Sequence, residues 1–173
     1  GLKIDGISGP HDRVGGRRFG QATLWRWKQG GLDFAHLGGT AARLSPADRV
    51  MLGRPDVLII GVGGGAKVYD GSEAAAVVRD LTGSQESGGG VDVGIEYSGT
   101  EAGFQAVFDS LCKGGDFRLV GAPPSAIPVD FSYWLIKCPT LHTIHGRRIW
   151  DSWVQTTDLL QSGRMDIRPV ASH

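Results

Sequence analysis

Cysteine and methionine are scarce in this chain, two of each among 173 residues. Cys112 and Cys138 form no metal-ligand spacing and no disulfide framework, which excludes a disulfide-stapled mini-domain and fits a reducing cytoplasm. No Cys–His–acid order accompanies them, so each reads as a small buried hydrophobe. Net charge is lacking too. Eighteen Lys and Arg balance eighteen Asp and Glu, with no basic stripe or interleaved aromatic platform, so nucleic acid is not an expected partner. No apolar run approaches the roughly 20 residues that cross a bilayer, and no signal peptide opens the chain, so no membrane is expected either. The first residue is Gly1 rather than Met, as in a trimmed chain or a fragment. No internal repeat appears at a period of about 20–50 residues.

Glycine is abundant: 28 residues, many of them after apolar runs, where loops leave strands. Residues 4–37 read as β structure, with a hairpin at Gln29-Gly30-Gly31 between alternating stretches that carry Trp25 and Trp27 on one face, as core. Ser45, Pro46 and Asp48 supply an N-cap, a first-turn proline and a first-turn acid for a helix to about Leu52. The continuous run 56–62 predicts a buried parallel strand. Asp70 and Glu73 are spaced as a capping box, before a stripe of Ala74, Val77, Val78 and Leu81. Beyond a Ser/Gly-rich seam at 82–90 the rhythm is α/β. It runs from a strand at 91–99 to a helix capped by Ser98 or Thr100, with Phe104, Val107, Phe108 and Leu111 on one face, ending at Gly114-Gly115. A strand at 117–124, an irregular segment and a strand at 140–146 follow. A helix over 149–161 is then expected to bury Trp150, Trp153, Val154, Thr157 and Leu160. Such units imply right-handed crossovers and a parallel sheet.

The turn Gly61-x-Gly63-x-x-Ala66, followed by Lys67, spells one form of a dinucleotide fingerprint. The surrounding sequence argues against it. A pyrophosphate loop needs a helix N-terminus directly behind its glycines, and here Lys67, Val68 and Tyr69 intervene before the cap at Asp70. The acid that should follow by about 20 residues falls at Glu86 in the seam, and Glu96, which does end a strand, lies too far along. Lys67 is not followed by Ser or Thr, so a Walker loop fails as well. His11-Asp12 reads as a loop pair with the histidine bonded to backbone. His142 and His145 lie on opposite strand faces. The basic pairs Arg17-Arg18 and Arg147-Arg148 read as solvated.

From residue 83 onward the motifs "VDVGIEYSG", "GGDFRLVGAPPS", "IHGRRIWDSW" and "LLQSGRMDIRPVASH" resemble the zinc-dependent L-threonine 3-dehydrogenases of the medium-chain alcohol dehydrogenase family. The resemblance implies the second half of a Rossmann domain. It places Gly121, Ala122, Pro123, Ile144, His145 and Gly146 in the loops along the nicotinamide half of NAD. The family's glycine fingerprint, ribose-binding acid, zinc ligands and four-cysteine zinc site have no counterpart here. Residues 4–81, through "GISGPHDRVGG", "GLDFAHLGGTAARLSPADRVMLGRPDVLIIGVGGG" and "GSEAAAVVRDL", resemble the C-terminal half of a metallo-β-lactamase-fold, metal-dependent hydrolase. That resemblance implies that the 61–66 turn closes a core strand and binds no dinucleotide. The family's histidine-rich metal run is absent, and its bridging aspartate, in an "HLGD" motif, falls on Gly39 of His36-Leu37-Gly38-Gly39.

The expected fold is therefore α/β. A mostly parallel, half-Rossmann sheet flanked by helices carries an antiparallel N-terminal β extension, a hybrid of two half-domains with segments 1–81, 82–90 and 91–173. Strand 56–62 is expected to pair with 91–97 in one continuous sheet. The expected function is a domain with no catalytic residues, no metal and at most weak binding of NAD or a similar small nucleotide, compatible with a homo-oligomer. The alternatives are a fragment of an NAD- and zinc-dependent threonine or alcohol dehydrogenase completed by another chain, and a residual metal-dependent hydrolase.

Overall fold

The computed structural model describes residues 2–83, 89–146 and 148–167. Positions 84–88 of the seam, with Glu86, and Arg147 lie outside the described residues. The chain divides into two compact units, Gly1–Thr143 and Ile144–His173. The larger begins with an antiparallel meander of β1 (Ile4–Pro10), β2 (Gln21–Gln29) and β3 (Leu32–His36). Gln29 faces Leu32 across Gly30-Gly31, whose φ values of 59° and 85° give the twist a two-residue hairpin needs. The expected hairpin is present, but its tryptophans are not core. Trp25 is 43% exposed, and Trp27 stacks on Phe34 at 5.1 Å on the same half-open sheet face.

Helix α1 (Pro46–Leu52) starts with a capping box: Ser45 Oγ accepts from Asp48 N at 3.1 Å, and Asp48 Oδ2 from Ser45 N at 2.8 Å. Strand β4 (Val57–Ile59) adds in parallel to β3, giving a four-stranded sheet ordered β1-β2-β3-β4. It is shorter than the 56–62 run and covered on one side only. Leu58 and Ile60 pack on the core, while Ile59 faces solvent. Helix α2 (Gly71–Thr82) opens on the second capping box, Asp70 with Glu73, and buries Ala74, Ala75, Val77 and Val78.

Strands β5 (Val91–Glu96), β6 (Leu111–Leu119) and β7 (Thr140–Thr143) form a separate parallel sheet ordered β5-β6-β7. Helices α3 (Glu101–Ser110) and α4 (Phe131–Lys137) pack against it. The expectation of one continuous sheet is thus corrected: among the described residues β4 pairs with β3 alone and β5 with β6 alone. The two sheets are joined by helix on helix instead. The small-residue face of α2 meets α3 closely enough that a Cβ at Gly71 would lie 2.6 Å from the Ala102 carbonyl oxygen, and Ala106 of α3 belongs to the first sheet's core. Small residues at a helix contact shorten the interaxial distance, so α2 spends its apolar stripe on α3 as well as on its own sheet.

Helix α3 ends at Ser110, not at Gly114-Gly115. Leu111, fully buried and extended (φ −65°, ψ 142°), turns the chain straight into β6, which contains the glycine pair. Helix α4 arises where the sequence reads as irregular, with Asp130 Oδ1 accepting from Ser132 N and Tyr133 N. Cys112 is half-buried and Cys138 exposed, so neither is the buried hydrophobe expected. Cys138 has φ 50° as the left-handed cap of α4.

The second unit holds α5 (Ile149–Gln161), with the bounds the periodicity predicts. Its apolar stripe is not buried. No residue of α5 is buried, and Trp150 is 77% exposed, packed edge-on against Trp153. The described part of this unit contains no second element, so nothing within it covers the stripe.

Candidate functional site

The glycine turn before α2 is closed by its own neighbours. Gly64 N donates to Tyr69 O at 2.9 Å, and Arg13 NH1 to Gly65 O at 2.6 Å. The N-terminus of α2, where a phosphate would sit, already holds two carboxylates: Asp70 Oδ1 accepts from Glu73 N at 2.8 Å, and Glu73 Oε2 from Asp70 N at 2.9 Å. The Glu73 N–H bond holds the Asp70 carboxyl below its ordinary pKa, and the Arg13 fork (2.7 and 2.5 Å) does the same for Glu73. An arriving pyrophosphate would meet anions where it needs free N–H groups.

The loop end of the first sheet does not fit a metal centre. Burial alone would raise the pKa of Asp12. Donation from Phe19, Val14, Gly16 and Arg18 N–H groups, at 2.7 to 3.1 Å, outweighs it and leaves the carboxyl lowered and saturated. The backbone-bonded member of the His11-Asp12 pair is therefore the aspartate. His11 Nδ1 is buried without a hydrogen-bond partner, and its ring lies against Gly39, where a Cβ would come 3.1 Å from Cε1. His36 Nδ1 accepts from Gly38 N at 2.8 Å. Gly39 offers no carboxylate, and among the described residues no three His, Cys, Asp or Glu side chains could share a metal ion.

The arrangement with the form of a ligand site is the cleft at the C-terminal ends of β5 and β6. Glu96, 2% exposed at the end of β5, is its keystone. Its Oε1 accepts from Ser98 N at 2.7 Å and from the Ser98 hydroxyl, and its Oε2 from Gly99 N at 2.9 Å. Its carbonyl accepts from Val120 N at 2.9 Å and Gly121 N at 3.0 Å. One residue thus fixes both the turn after β5 and the turn after β6. Thr100 Oγ1 caps α3 by accepting from Gly103 N at 3.0 Å. Between these turns lies a cleft of about 220 Å³, lined among others by Gly99, Thr100, Glu101, Pro123, Pro124 and Ile127.

Of the residues the resemblance points to, Gly121 packs where a Cβ would come 2.5 Å from Glu96 Oε2. The Ala122 carbonyl lies against Gly99, where a Cβ would fall 2.7 Å from it, and Pro123 lines the cleft. Ile144, His145 and Gly146 belong to the second unit and are exposed. Sequence reasoning alone does not single out Glu96, Ser98, Gly99 and Thr100 as site residues. The signal for them is a carboxylate closing an apolar run just before a Ser-Gly-Thr turn. Because its oxygens are taken by the turn, Glu96 positions backbone.

Comparison with known proteins finds two different likenesses in the chain. Residues 1–85 match the family model described as a beta-lactamase superfamily domain. Over 84 residues, 49% of this chain, it is 36% identical to L-threonine 3-dehydrogenase of Vibrio cholerae and, over the same length, 34% identical to that of Aeromonas salmonicida. The chain spans about a quarter of the length of these relatives, 24% of each. Among solved structures it is similar to 2R,3R-butanediol dehydrogenase from Bacillus subtilis (TM-score 0.41, 22% identity, 66% of this chain and 30% of that one). It is also similar to an alcohol dehydrogenase zinc-binding domain protein from Burkholderia ambifaria (TM-score 0.38, 24% identity, 59% and 25%).

Proposed function

We propose that this chain is a hybrid α/β protein without an intact catalytic site, whose β5–β6 cleft binds the nicotinamide end of NAD weakly. The observation that carries the reading is the Glu96-braced pair of turns at the C-terminal ends of two adjacent parallel strands, where open α/β sheets take their ligands. Pro123 lines the cleft, and Gly121 and Ala122 pack directly behind, against Glu96 and Gly99. Ile144, His145 and Gly146 enter on the resemblance alone. At about 220 Å³ the cleft is smaller than the roughly 300–1,000 Å³ of a complete ligand pocket, so it suits a ring rather than a dinucleotide. A dehydrogenase half-domain of this kind acts on threonine or another alcohol only if a second chain supplies the remaining half and its zinc. This chain is proposed to hold no metal of its own.

The pyrophosphate and adenosine ribose of NAD find no partners at the cleft. The loss of about two charge-assisted hydrogen bonds, roughly 1.5–3 kcal/mol each, weakens binding by several powers of ten. Calorimetric titration of the full chain with NAD is expected to show millimolar affinity or weaker, with no oxidation of threonine. A micromolar dissociation constant would overturn the proposal.

A further inference from the structure

We propose that the paired loops 12–20 and 63–68, at the end of the first sheet, form a binding site for the phosphate group of a small soluble ligand, held by Arg18 and Lys67. None of the β5–β6 cleft residues takes part, and the anchor is Phe19. The Arg18 guanidinium lies 5.0 Å from the centroid of its ring and the Lys67 ammonium 4.8 Å. Two cations from loops almost fifty residues apart in sequence therefore stand within about 10 Å of each other, the sum of those two distances, drawn to one aromatic quadrupole.

The loops that deliver them are built in advance. Asp12, 3% exposed, draws the N–H groups of Val14, Gly16, Arg18 and Phe19 around its carboxylate, and His11 N donates to Gly20 O at 3.0 Å. Arg13 staples this loop to the next through Glu73, Gly65 O and Val68 O. The same bonds occupy the oxygens of the nearby carboxylates, and of these Glu73 is also neutralised by a cation, Arg13. Asp12 is saturated by backbone, Glu73 is forked by Arg13, and Asp70 caps α2 and accepts from Ser72 Oγ at 2.8 Å. Among the described residues no carboxylate forms an ion pair with Arg17, Arg18 or Lys67, and all three are exposed. What remains outward is a small cationic patch with its preorganisation already made.

Its size selects the ligand. Arg18 and Lys67 together carry the two positive charges that match one phosphate dianion, which Arg binds by bidentate hydrogen bonds and Lys as a point charge. A nucleic acid would need a longer track of cations than the two gathered at Phe19. The surface beside the patch is open, because a Cβ at Gly15, Gly20 or Gly65 would meet nothing within 4 Å.

The test is titration of the full chain with inorganic phosphate at low salt, followed by phosphorus NMR line shape, in three proteins. Wild type is expected to saturate in the millimolar range. Arg18→Ala/Lys67→Ala should bind at least about tenfold more weakly, the effect of losing charged hydrogen bonds. Arg43→Ala/Arg54→Ala, which removes the same charge elsewhere, should stay within about twofold. Unchanged circular dichroism shows that each variant is folded. No saturation in wild type, or equal loss in both variants, overturns the site. Co-sedimentation of wild type, but not of Arg18→Ala/Lys67→Ala, with phosphatidylcholine vesicles doped with phosphatidic acid would move the phosphate to a lipid headgroup and overturn the soluble-ligand proposal.

Discussion

The two segments of the larger unit solve the same packing problem with different materials. The first sheet is sealed by an aliphatic core, with Ile7, Leu24, Leu37, Leu44, Leu52 and Val77 around a single tyrosine. The second is sealed by rings: Phe104, Phe108 and Phe117 with Tyr133 and Trp134 against them. Their buried polar groups differ too. Tyr69 donates its hydroxyl to Ala42 O at 2.5 Å and stays neutral, burial pushing its pKa up to about 12. The second core instead encloses an amine, Lys137, donating to the Phe108 carbonyl beneath the Phe108 and Tyr133 rings. Charge divides along the same line. Residues 1–83 carry eleven basic against eight acidic side chains, and 84–173 carry seven against ten. Two parts this unlike can share one compact unit because they meet through small residues on two helices, a contact that asks for no match of strand register or core chemistry.

The largest test of that comparison removes a ring. Phe108 is 2% exposed, stacked on Trp134 at 5.0 Å and edge-on to Tyr133 at 5.2 Å. Phe108→Ala should cost about 3–5 kcal/mol, transfer and cavity together, read as a lower urea midpoint by circular dichroism. Leu24→Ala in the aliphatic core is expected to lower the same transition. If each variant shifts a different transition, the helix joint does not couple the segments.

What the sequence makes legible is local. Both capping boxes, the Gly30-Gly31 hairpin and the bounds of α5 depend on residues within a few positions of one another. The partnering of β5 is not legible, because an apolar run states that a strand is buried and not which strand lies beside it. Helix α4 escapes a sequence reading since its seven residues sit behind Pro123, Pro124 and Pro128 and show no full helical period. Of the candidate cleft, the sequence makes visible the turn Gly121-Ala122-Pro123, of which Pro123 lines it. Glu96 reads in the sequence as a ribose-binding acid at the wrong spacing, whereas its work is to hold two turns. The aromatic stripe of α5 reads correctly as a stripe and wrongly as buried, since periodicity shows a face without showing what covers it.

The buried amine gives the second test, intermediate in size. Burial lowers the Lys137 pKa from 10.5 to about 8, against the opposing pull of Asp109 and Cys112. Between those values the unfolded chain holds more protons than the folded one, so stability rises with pH. The amine's contribution is complete above about 10.5 and is lost as pH falls through about 8. Cys112 and Tyr133, kept neutral by burial, pull the other way as pH rises; a comparison with Lys137→Met cancels the Tyr133 part and, apart from the small pull of Lys137 on the Cys112 thiol, the Cys112 part. Wild type should gain about 2–3 kcal/mol relative to Lys137→Met between pH 8 and 10.5, since a tenfold change in proton affinity is worth roughly 1.4 kcal/mol. A flat difference across that range would mean that the amine is solvated and that the second core is open where Lys137 enters it.

The smallest expected effect falls on the joint itself. Gly71 begins α2 without a left-handed φ, so alanine there has no backbone penalty and gains some helix propensity. Its Cβ, however, would lie 2.6 Å from the Ala102 carbonyl oxygen and 3.5 Å from the Ala106 Cβ. The first of these is backbone and cannot rotate away, so α2 and α3 must separate by a few tenths of an ångström. Gly71→Ala should therefore cost about 1–2 kcal/mol, at the lower end of overpacking costs. Val50, 81% exposed on α1, supplies the control: Val50→Ala, away from the joint, should stay within about 0.5 kcal/mol. The double variant Gly71→Ala/Phe108→Ala separates coupling from simple loss. If the helices transmit stability between the cores, the loosened joint makes the ring worth less to the whole, and the combined cost falls short of the sum by more than about 0.5 kcal/mol. Strict additivity would mean that the two cores stand side by side without supporting each other.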